Sequence, residues 1–166
     1  MTQITLKGTP INTIASLPEV GTQAIDFQLT ATDLSTKTLA DFSGETLIIS
    51  TFPSLETSVC SLSVKQFNER VANRENTRIL CVSRDLPFTH NRFAEAENIE
   101  HITFLSDFKT GQFGKDYGLE IIDGAFTGLF SRCIIVIDTN GTIIYTEQVS
   151  EVADEPNYSA AFDSLT

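Results

Sequence analysis

The stretch TLIISTFPSLETSVC, residues 46–60, joins a largely apolar run to a proline turn and then to the start of a helical pattern. Its first seven residues are apolar on both faces and rich in β-branched side chains, which predicts a central strand buried from both sides. After the turn, inward positions recur at spacings of four, three and four: Cys60, Val64, Phe67 and Val71. The stretch therefore predicts a buried strand followed by an amphipathic helix whose first inward residue is Cys60.

Strands and helices alternate along the rest of the chain. Upstream, QITLKG and INTI predict a hairpin with a turn at 8–10, and AIDFQLTATD and STKTLADFSG predict short strands. Downstream, TRILCVS, HITFLS, CIIVID and TIIYTEQV are predicted strands, and LPFTHNRFAEAEN, KTGQFGKDYG and NYSAAFDSL are predicted helices. An Asn-Gly pair predicts a hairpin between the last two strands. This order predicts one α/β domain, residues 1–166, with helices on both faces of the sheet.

The composition excludes several classes of partner. The chain has 11 basic and 22 acidic residues, a net charge of −11, and no cluster of Lys and Arg. We therefore expect neither nucleic acid nor an anionic membrane as a partner. The N-terminal residues do not resemble a signal peptide, and no segment reaches the roughly 18 apolar residues of a membrane span. The sequence predicts a soluble, cytoplasmic protein.

The cysteines and histidines do not form a metal site or a disulfide framework. There are three cysteines, an odd number, without a CxxC pair. His90 and His101 have no Cys or acidic partner at ligand spacing. We expect no metal and no cofactor, and each cysteine has to be considered alone.

Cys60 is the first candidate for chemistry because it lies in the first turn of a predicted helix. Unpaired backbone N–H groups and the helix dipole favour negative charge there. Helix N-termini and nearby cations lower a cysteine pKa from about 8.5 to between about 3.5 and 7.5, and the thiolate is the nucleophile. Thr57 is a good N-cap that could also turn its hydroxyl towards the sulfur or a substrate. The alternative is that Cys60 is a small apolar residue on the inner face of the helix.

Cys81 and Cys133 lie in apolar strands, where a role in the core is expected. Arg132 directly precedes Cys133, and an arginine that enters an apolar strand is costly unless its charge has a partner. A thiolate at a neighbouring helix N-terminus is one such partner. The alternative is an exposed arginine at the end of a strand.

Several segments together resemble one family. FPSLETSVC resembles the peroxidatic motif PxxxTxxC of the peroxiredoxins, with Pro53, Thr57 and Cys60 in the three positions. RILCVSRDLPFTHNRF, FTGLFSRCIIVID and EVADEPNYSAAF resemble, in the same order, segments of the bacterial thiol peroxidases, the Tpx branch of the atypical two-cysteine peroxiredoxins. The resemblance covers nearly the whole chain, including the opening hairpin.

The resemblance implies a thioredoxin-like fold with an N-terminal hairpin and a central mixed sheet flanked by helices. It also implies a homodimer that reduces hydrogen peroxide and alkyl hydroperoxides with electrons from thioredoxin or another thiol. By motif position, Cys60 becomes a sulfenic acid and Thr57 hydrogen-bonds to sulfur and substrate. Pro53 shields the sulfur from water, and Arg132 stabilises the thiolate and the charge that develops on the leaving oxygen.

One position departs from the family pattern. The resolving cysteine is expected after the Arg-aromatic pair of the helix that follows DLPF, and here that position is Ala94. The alanine indicates either a natural one-cysteine form reduced by an outside thiol or an engineered substitution. We expect that neither Cys81 nor Cys133 replaces the missing thiol efficiently, because a buried strand is a poor place from which to move.

Two other kinds of function are compatible with these residues. The first is a redox sensor that is oxidised at Cys60 without efficient turnover, and the second is a catalytically inactive interaction module. Turnover with a thiol reductant separates the peroxidase from the sensor, and an unreactive Cys60 would indicate the inactive module. Apolar residues in expected loops, Phe126, Leu129 and Phe130, support the predicted dimer and are expected near the active site.

Overall fold

The computed structural model describes residues 1–165, and within them it has nine strands and four α-helices. The strands are β1 (Thr2–Leu6), β2 (Thr9–Thr13), β3 (Gln28–Ala31), β4 (Thr36–Thr38), β5 (Thr46–Thr51), β6 (Thr77–Ser83), β7 (Ile102–Ser106), β8 (Cys133–Ile137) and β9 (Ile143–Gln148). The helices are α1 (Ser58–Val71), α2 (Pro87–Ala96), α3 (Gln112–Asp116) and α4 (Tyr158–Asp163), and Leu39–Phe42 forms a 3₁₀ helix. The strands and helices predicted from periodicity are confirmed.

Strands β3 to β9 form one mixed sheet in the order β4-β3-β7-β6-β5-β8-β9. β5 pairs in parallel with β6, and β6 pairs in parallel with β7, while β8 runs antiparallel to β5. Helices α1 and α2 are the crossovers that parallel neighbours require. β5 has a strand on each side, so the prediction of a central strand from residues 46–52 is confirmed.

Helices cover both faces of the sheet. α1, α2 and α4 pack on the face that contains Ile48, whereas α3 and the 3₁₀ helix pack on the face that contains Ile49. Both isoleucines are 0% exposed, and full burial of such a side chain contributes about 1.5–3 kcal/mol. The double burial explains why the sequence of β5 is apolar on both faces rather than alternating.

The pairing of β8 with β5 determines which way Arg132 points. Cys133 is the partner of Thr51, so Arg132 lies beside the chain as it leaves β5. Successive side chains of a strand point to opposite faces, and Ile134 packs on the α1 face while Cys133 packs on the other. Arg132 lies two residues before Ile134, so its side chain points to the same face of the sheet as Ile134. That face is the one covered by α1.

The N-terminal hairpin is a separate two-stranded sheet, bridged to Ile121 and Glu151 outside the strands of the main sheet. Its turn consists of Lys7 and Gly8, both with positive φ, at 50° and 82°, as in the type I′ turns of tight hairpins. The turn therefore lies earlier than the expected 8–10, since Pro10 lies within β2 opposite Thr5. Both strands of a two-stranded sheet are edge strands, and an edge strand tolerates a proline, which has no backbone N–H.

Candidate active site

The site begins where the chain leaves β5 and turns into α1. Phe52 and Pro53 are buried, Thr57 is the N-cap residue, and Cys60 is the third residue of the helix. Cys60 is 0% exposed and packs in the apolar cluster between α1 and the sheet. The sulfur is thus held at a helix N-terminus, where backbone N–H groups favour an anion.

Thr57 does not make the capping hydrogen bond expected of an N-cap threonine. Its backbone has extended geometry, as an N-cap requires, but its side chain caps no helix N–H. The hydroxyl instead donates to the carbonyl of Ser54 at 3.0 Å, and the amide of Thr57 donates to the same carbonyl at 3.2 Å. The tight turn after Pro53 thus takes the hydroxyl proton, and the oxygen keeps lone pairs with which to accept a hydrogen bond.

Arg132 is brought against Cys60 although 72 residues separate them in sequence. Its Nη2 donates to Sγ of Cys60 at 3.2 Å, and its Nε donates to the carbonyl of Val152 at 2.9 Å. Arg132 is 2% exposed, so it is not an exposed arginine at the end of a strand. Its Nη1 is buried and has no hydrogen-bond partner among residues 1–165. An unpartnered buried donor is costly, and this one belongs to a side chain that lines a cavity.

That cavity has a volume of about 300 Å³ and lies over the start of α1. Pro53, Thr57 and Arg132 contribute to its wall on one side, and Leu6 and Lys7 of the hairpin contribute on the other. None of the described residues that line it is acidic. The cavity therefore combines an apolar wall with hydrogen-bonding groups around Cys60, and it suits a small molecule with a polar reacting end.

A carboxylate holds the loop between β5 and α1 in place. Asp85 accepts hydrogen bonds from the Ser54 hydroxyl at 2.6 Å, the Leu55 amide at 2.9 Å and the Ser83 hydroxyl at 2.7 Å. Ser83 also lies 2.9 Å from Nε2 of His90, a buried residue of α2. Since the hydroxyl proton of Ser83 goes to Asp85, Nε2 of His90 carries the proton of that contact. Sequence reasoning missed this network because its members contact one another only in the folded chain.

The stability of the protein is expected to fall in acid because of His90. Burial lowers the pKa of His90 from 6.5 to about 4, against the opposing effect of the Asp85 charge. The unfolded chain thus binds a proton that the folded chain excludes, so stability is full above about pH 6.5 and is lost towards pH 4. We expect a loss of up to about 3 kcal/mol in the free energy of unfolding.

Urea denaturation at the two ends of this pH range measures the loss. His90→Gln should remove most of it, because the amide can still donate to Ser83 and does not titrate. His101→Gln, at the exposed histidine, is the matched control and should keep the full loss. An unchanged acid loss in His90→Gln would contradict the assignment.

The other two thiols are poorly placed to react. Cys81 and Cys133 are both 0% exposed, and burial raises the pKa of each, that of Cys133 to about 11. Cys133 packs on the opposite face of the sheet from Cys60. Ala94 is half-buried in α2 and packs against the cluster that contains Cys60. These positions support the prediction that neither strand thiol takes over the role of the missing cysteine.

One expectation about the dimer is wrong. Phe130 is 0% exposed and packs 6.1 Å from the ring of Phe113 in the core, so it is not available to a partner. Phe126, by contrast, lines the cavity beside Cys60.

Between residues 1 and 165 no helix is long and apolar enough to cross a membrane.

Comparisons with known proteins give one family match and several similar chains and structures. The sequence model of the family described as Redoxin matches residues 19–162. A thiol peroxidase of Mycobacterium tuberculosis strain H37Rv is 47% identical over 165 residues, which is 99% of each chain. A peroxiredoxin-like protein from Aquifex aeolicus has a TM-score of 0.92 at 35% identity and covers 98% of this chain and 95% of its own. A thiol peroxidase from Chromobacterium violaceum has a TM-score of 0.90 at 20% identity over 97% and 93%, which shows the fold alone.

Proposed function

The chain belongs to the Redoxin family and, within it, to the thiol peroxidases, and we propose that it reduces hydrogen peroxide and alkyl hydroperoxides through the thiolate of Cys60. The thioredoxin-like fold and N-terminal hairpin implied by the sequence are confirmed by the solved structures it resembles. The observation that carries the proposal is the 3.2 Å hydrogen bond from Nη2 of Arg132 to Sγ of Cys60. No carboxylate among residues 1–165 pairs with this buried guanidinium, so an anion at the sulfur stabilises it.

The chemical step transfers one oxygen atom to sulfur. The thiolate of Cys60 forms an S–O bond with the hydroperoxide while the O–O bond breaks, so sulfur loses two electrons and becomes a sulfenic acid. The leaving oxygen takes a proton and departs as water or an alcohol. The unpartnered Nη1 of Arg132 is available to donate to that oxygen as negative charge develops on it.

Thr57 and Pro53 orient and shield the reacting atoms. The Thr57 hydroxyl donates to Ser54, so its oxygen is left to accept the O–H of the hydroperoxide. Pro53 is buried in the cavity wall and limits the access of water to the sulfur. The positions of Pro53, Thr57 and Arg132 around one cavity support these roles. The bond from Thr57 to sulfur that the family motif implies is not made among residues 1–165, because the hydroxyl proton goes to Ser54.

The remaining parts of the proposal concern partners. A thiol, from thioredoxin or a smaller molecule, returns the sulfenic acid of Cys60 to the thiolate. We propose that residues 1–166 act as one domain, that the chain forms a homodimer, and that it acts in the cytoplasm. These statements rest on the sequence and on the family resemblance. A monomeric mass in solution at micromolar concentration would contradict the dimer.

A redox sensor is the second candidate, and the residue at position 94 favours it. Ala94 cannot close a disulfide on the sulfenic acid, and Cys81 and Cys133 are fully buried. A protein that is oxidised once and recycled slowly transmits a signal rather than removing peroxide. The two candidates differ only in the fate of the sulfenic acid once Cys60 has been oxidised.

The test is a reaction of the reduced protein with one equivalent of hydroperoxide, monitored by intact mass and peptide mapping. We expect rapid addition of one oxygen at Cys60 and then steady turnover when thioredoxin and its reductase, or a small thiol, are added. Oxidation that stops after one event would favour the sensor. A variant with Cys81→Ser and Cys133→Ser serves as the control and should react like the parent. An unreactive Cys60 would contradict both the peroxidase and the redox sensor.

A further inference from the structure

The orientation of Arg132 depends on one backbone oxygen. Apart from its contact with Cys60, its guanidinium makes one hydrogen bond among residues 1–165, from Nε to the carbonyl of Val152 at 2.9 Å. No carboxylate in that part of the chain forms an ion pair with it. The direction in which Nη1 and Nη2 point is therefore set by the position of Val152.

The segment that carries Val152 is attached to the N-terminal hairpin. The amide of Val152 donates to the carbonyl of Thr5 at 2.9 Å, and the amide of Thr5 donates to the carbonyl of Ser150 at 2.8 Å. The side chain of Val152 is 2% exposed and packs in a small cluster with Ile4. The hairpin and this segment thus form one unit beside the cavity.

The carboxylate of Glu151 joins the two halves of that unit. One oxygen accepts from the Thr5 hydroxyl at 2.6 Å and the Gly8 amide at 3.0 Å. The other accepts from the Lys7 amide at 2.8 Å and the Ala153 amide at 3.1 Å. Successive amides of a turn with positive φ form a concave anion site, and here a side chain of the same protein fills it.

These hydrogen bonds stabilise the ionised form of the Glu151 side chain. The Thr5 hydroxyl and the amides of Gly8, Ala153 and Lys7 lower the pKa of Glu151 to about 2, so the side chain is ionised at any pH at which the protein works. An amide in its place has only one acceptor oxygen, and its NH₂ group cannot accept from the donors on the other side. Glu151→Gln therefore loosens Ala153, the residue next to Val152, or the hairpin turn, and either change frees the Val152 carbonyl.

We propose that Glu151 is a positioning residue for the peroxidase reaction, which holds the Val152 carbonyl where it aims Arg132 at Cys60 and the leaving oxygen. The inference rests on the proposed function, since it assigns Glu151 a part in the same oxidation of Cys60. It goes beyond the catalytic residues that the family resemblance implies, which are Pro53, Thr57, Cys60 and Arg132. Among the described residues Glu151 does not contact the sulfur and does not line the cavity, although its partners Lys7 and Ala153 do. We assign its effect on the rate to the aim of Arg132.

The experiment measures the second-order rate constant for oxidation of Cys60 in a single turnover, which does not depend on any reductant. We expect Glu151→Gln to lower this constant by about tenfold, as small misplacements of catalytic donors do. Glu155→Gln is the matched control, because Glu155 accepts only from the Tyr158 hydroxyl among the described groups. The control should keep the rate within about twofold of the parent.

A double-mutant cycle separates positioning from a general structural role. In the background of Arg132→Met there is no guanidinium to aim, so adding Glu151→Gln should cost almost nothing further. The loss should also be the same for hydrogen peroxide and for cumene hydroperoxide. A loss confined to the bulky substrate would mean that Glu151 only supports the hairpin wall of the cavity and would overturn the proposal. Additive losses in the cycle would overturn it as well.

Circular dichroism establishes whether Glu151→Gln folds. If it does not fold, Thr5→Val removes one of the four hydrogen bonds and should give a smaller loss with the same dependence on Arg132. A parent protein that is not oxidised at Cys60 would overturn the proposed function together with this inference. A parent that is oxidised normally, with Glu151→Gln and Thr5→Val equally fast, would overturn this inference alone.

Discussion

Replacing Arg132 with methionine is expected to lower the rate constant for oxidation of Cys60 by at least about 100-fold. The methionine keeps the apolar length of the side chain but removes the donor that lies 3.2 Å from Sγ and the unpartnered Nη1 of the same side chain. In the proposed reaction, the sulfur of Cys60 and the leaving oxygen then both lack their positive partner. Single-turnover oxidation by hydrogen peroxide, with the mass of Cys60 as the readout, measures the change.

The same variant is expected to keep its folding stability. Arg132 is 2% exposed and one of its nitrogens has no partner among residues 1–165. An apolar side chain of similar size removes that desolvation cost, which offsets the lost hydrogen bond to the Val152 carbonyl. Arg78→Lys is the control, because Arg78 pairs with Glu45 and not with any residue of the cavity. A fast Arg132→Met protein, or one as slow as expected but largely unfolded, would contradict the role assigned to the guanidinium.

Replacing Ala94 with cysteine is expected to change how Cys60 is recycled. Ala94 is half-buried and packs against the cluster that contains Cys60, and the family resemblance implies a resolving thiol at this position. After one equivalent of hydroperoxide, the variant should lose two hydrogens by forming an intramolecular disulfide, where the parent gains one oxygen. Thioredoxin-supported turnover should rise by at least about tenfold, because intramolecular attack has a high effective concentration.

The movement that this disulfide needs is resisted by the buried side chains of α2, His90 and Phe93, and by surface contacts. α2 is tied to its neighbours by ion pairs between Arg92 and Glu56 and between Lys65 and Glu97, the second at 3.0 Å, and exposed pairs contribute about 1 kcal/mol or less. Ala96→Cys is the matched control, since position 96 is exposed on the same helix, and it should form no disulfide with Cys60. A sulfenic acid that persists in Ala94→Cys would refute the prediction.

Much of the fold was accessible from local patterns. The periodicity of residues 46–60 predicted β5 and α1, and TRILCVS was predicted as a strand with the bounds that β6 has. These patterns are readable because each element buries one face or both faces, and burial selects apolar residues at a fixed spacing. The turn near Gly8 and the surroundings of Phe130 were predicted less well, because they depend on neighbours that are distant in sequence.

The candidate site was also predicted in part. The helix N-terminus singled out Cys60 and Thr57, and the resemblance to the PxxxTxxC motif added Pro53. The cost of burying a charge singled out Arg132. The bond that Thr57 makes to Ser54, the Asp85 network and the four donors around Glu151 were not predicted. Each of them depends on a turn or a pairing whose partners do not show a common pattern in the sequence.

The sequence by itself determined the strand, the turn and the helix N-terminus that hold Cys60, because these depend on neighbouring residues. Only the tertiary structure decided that Arg132 contacts that sulfur. The pairing of Thr51 with Cys133 sets the position of Arg132 along β5 and the face of the sheet to which its side chain points. A shift of one residue would place the guanidinium on the opposite face. The local chain places Cys60 at the helix N-terminus, and the long-range pairing of β5 with β8 places the charge of Arg132 beside it.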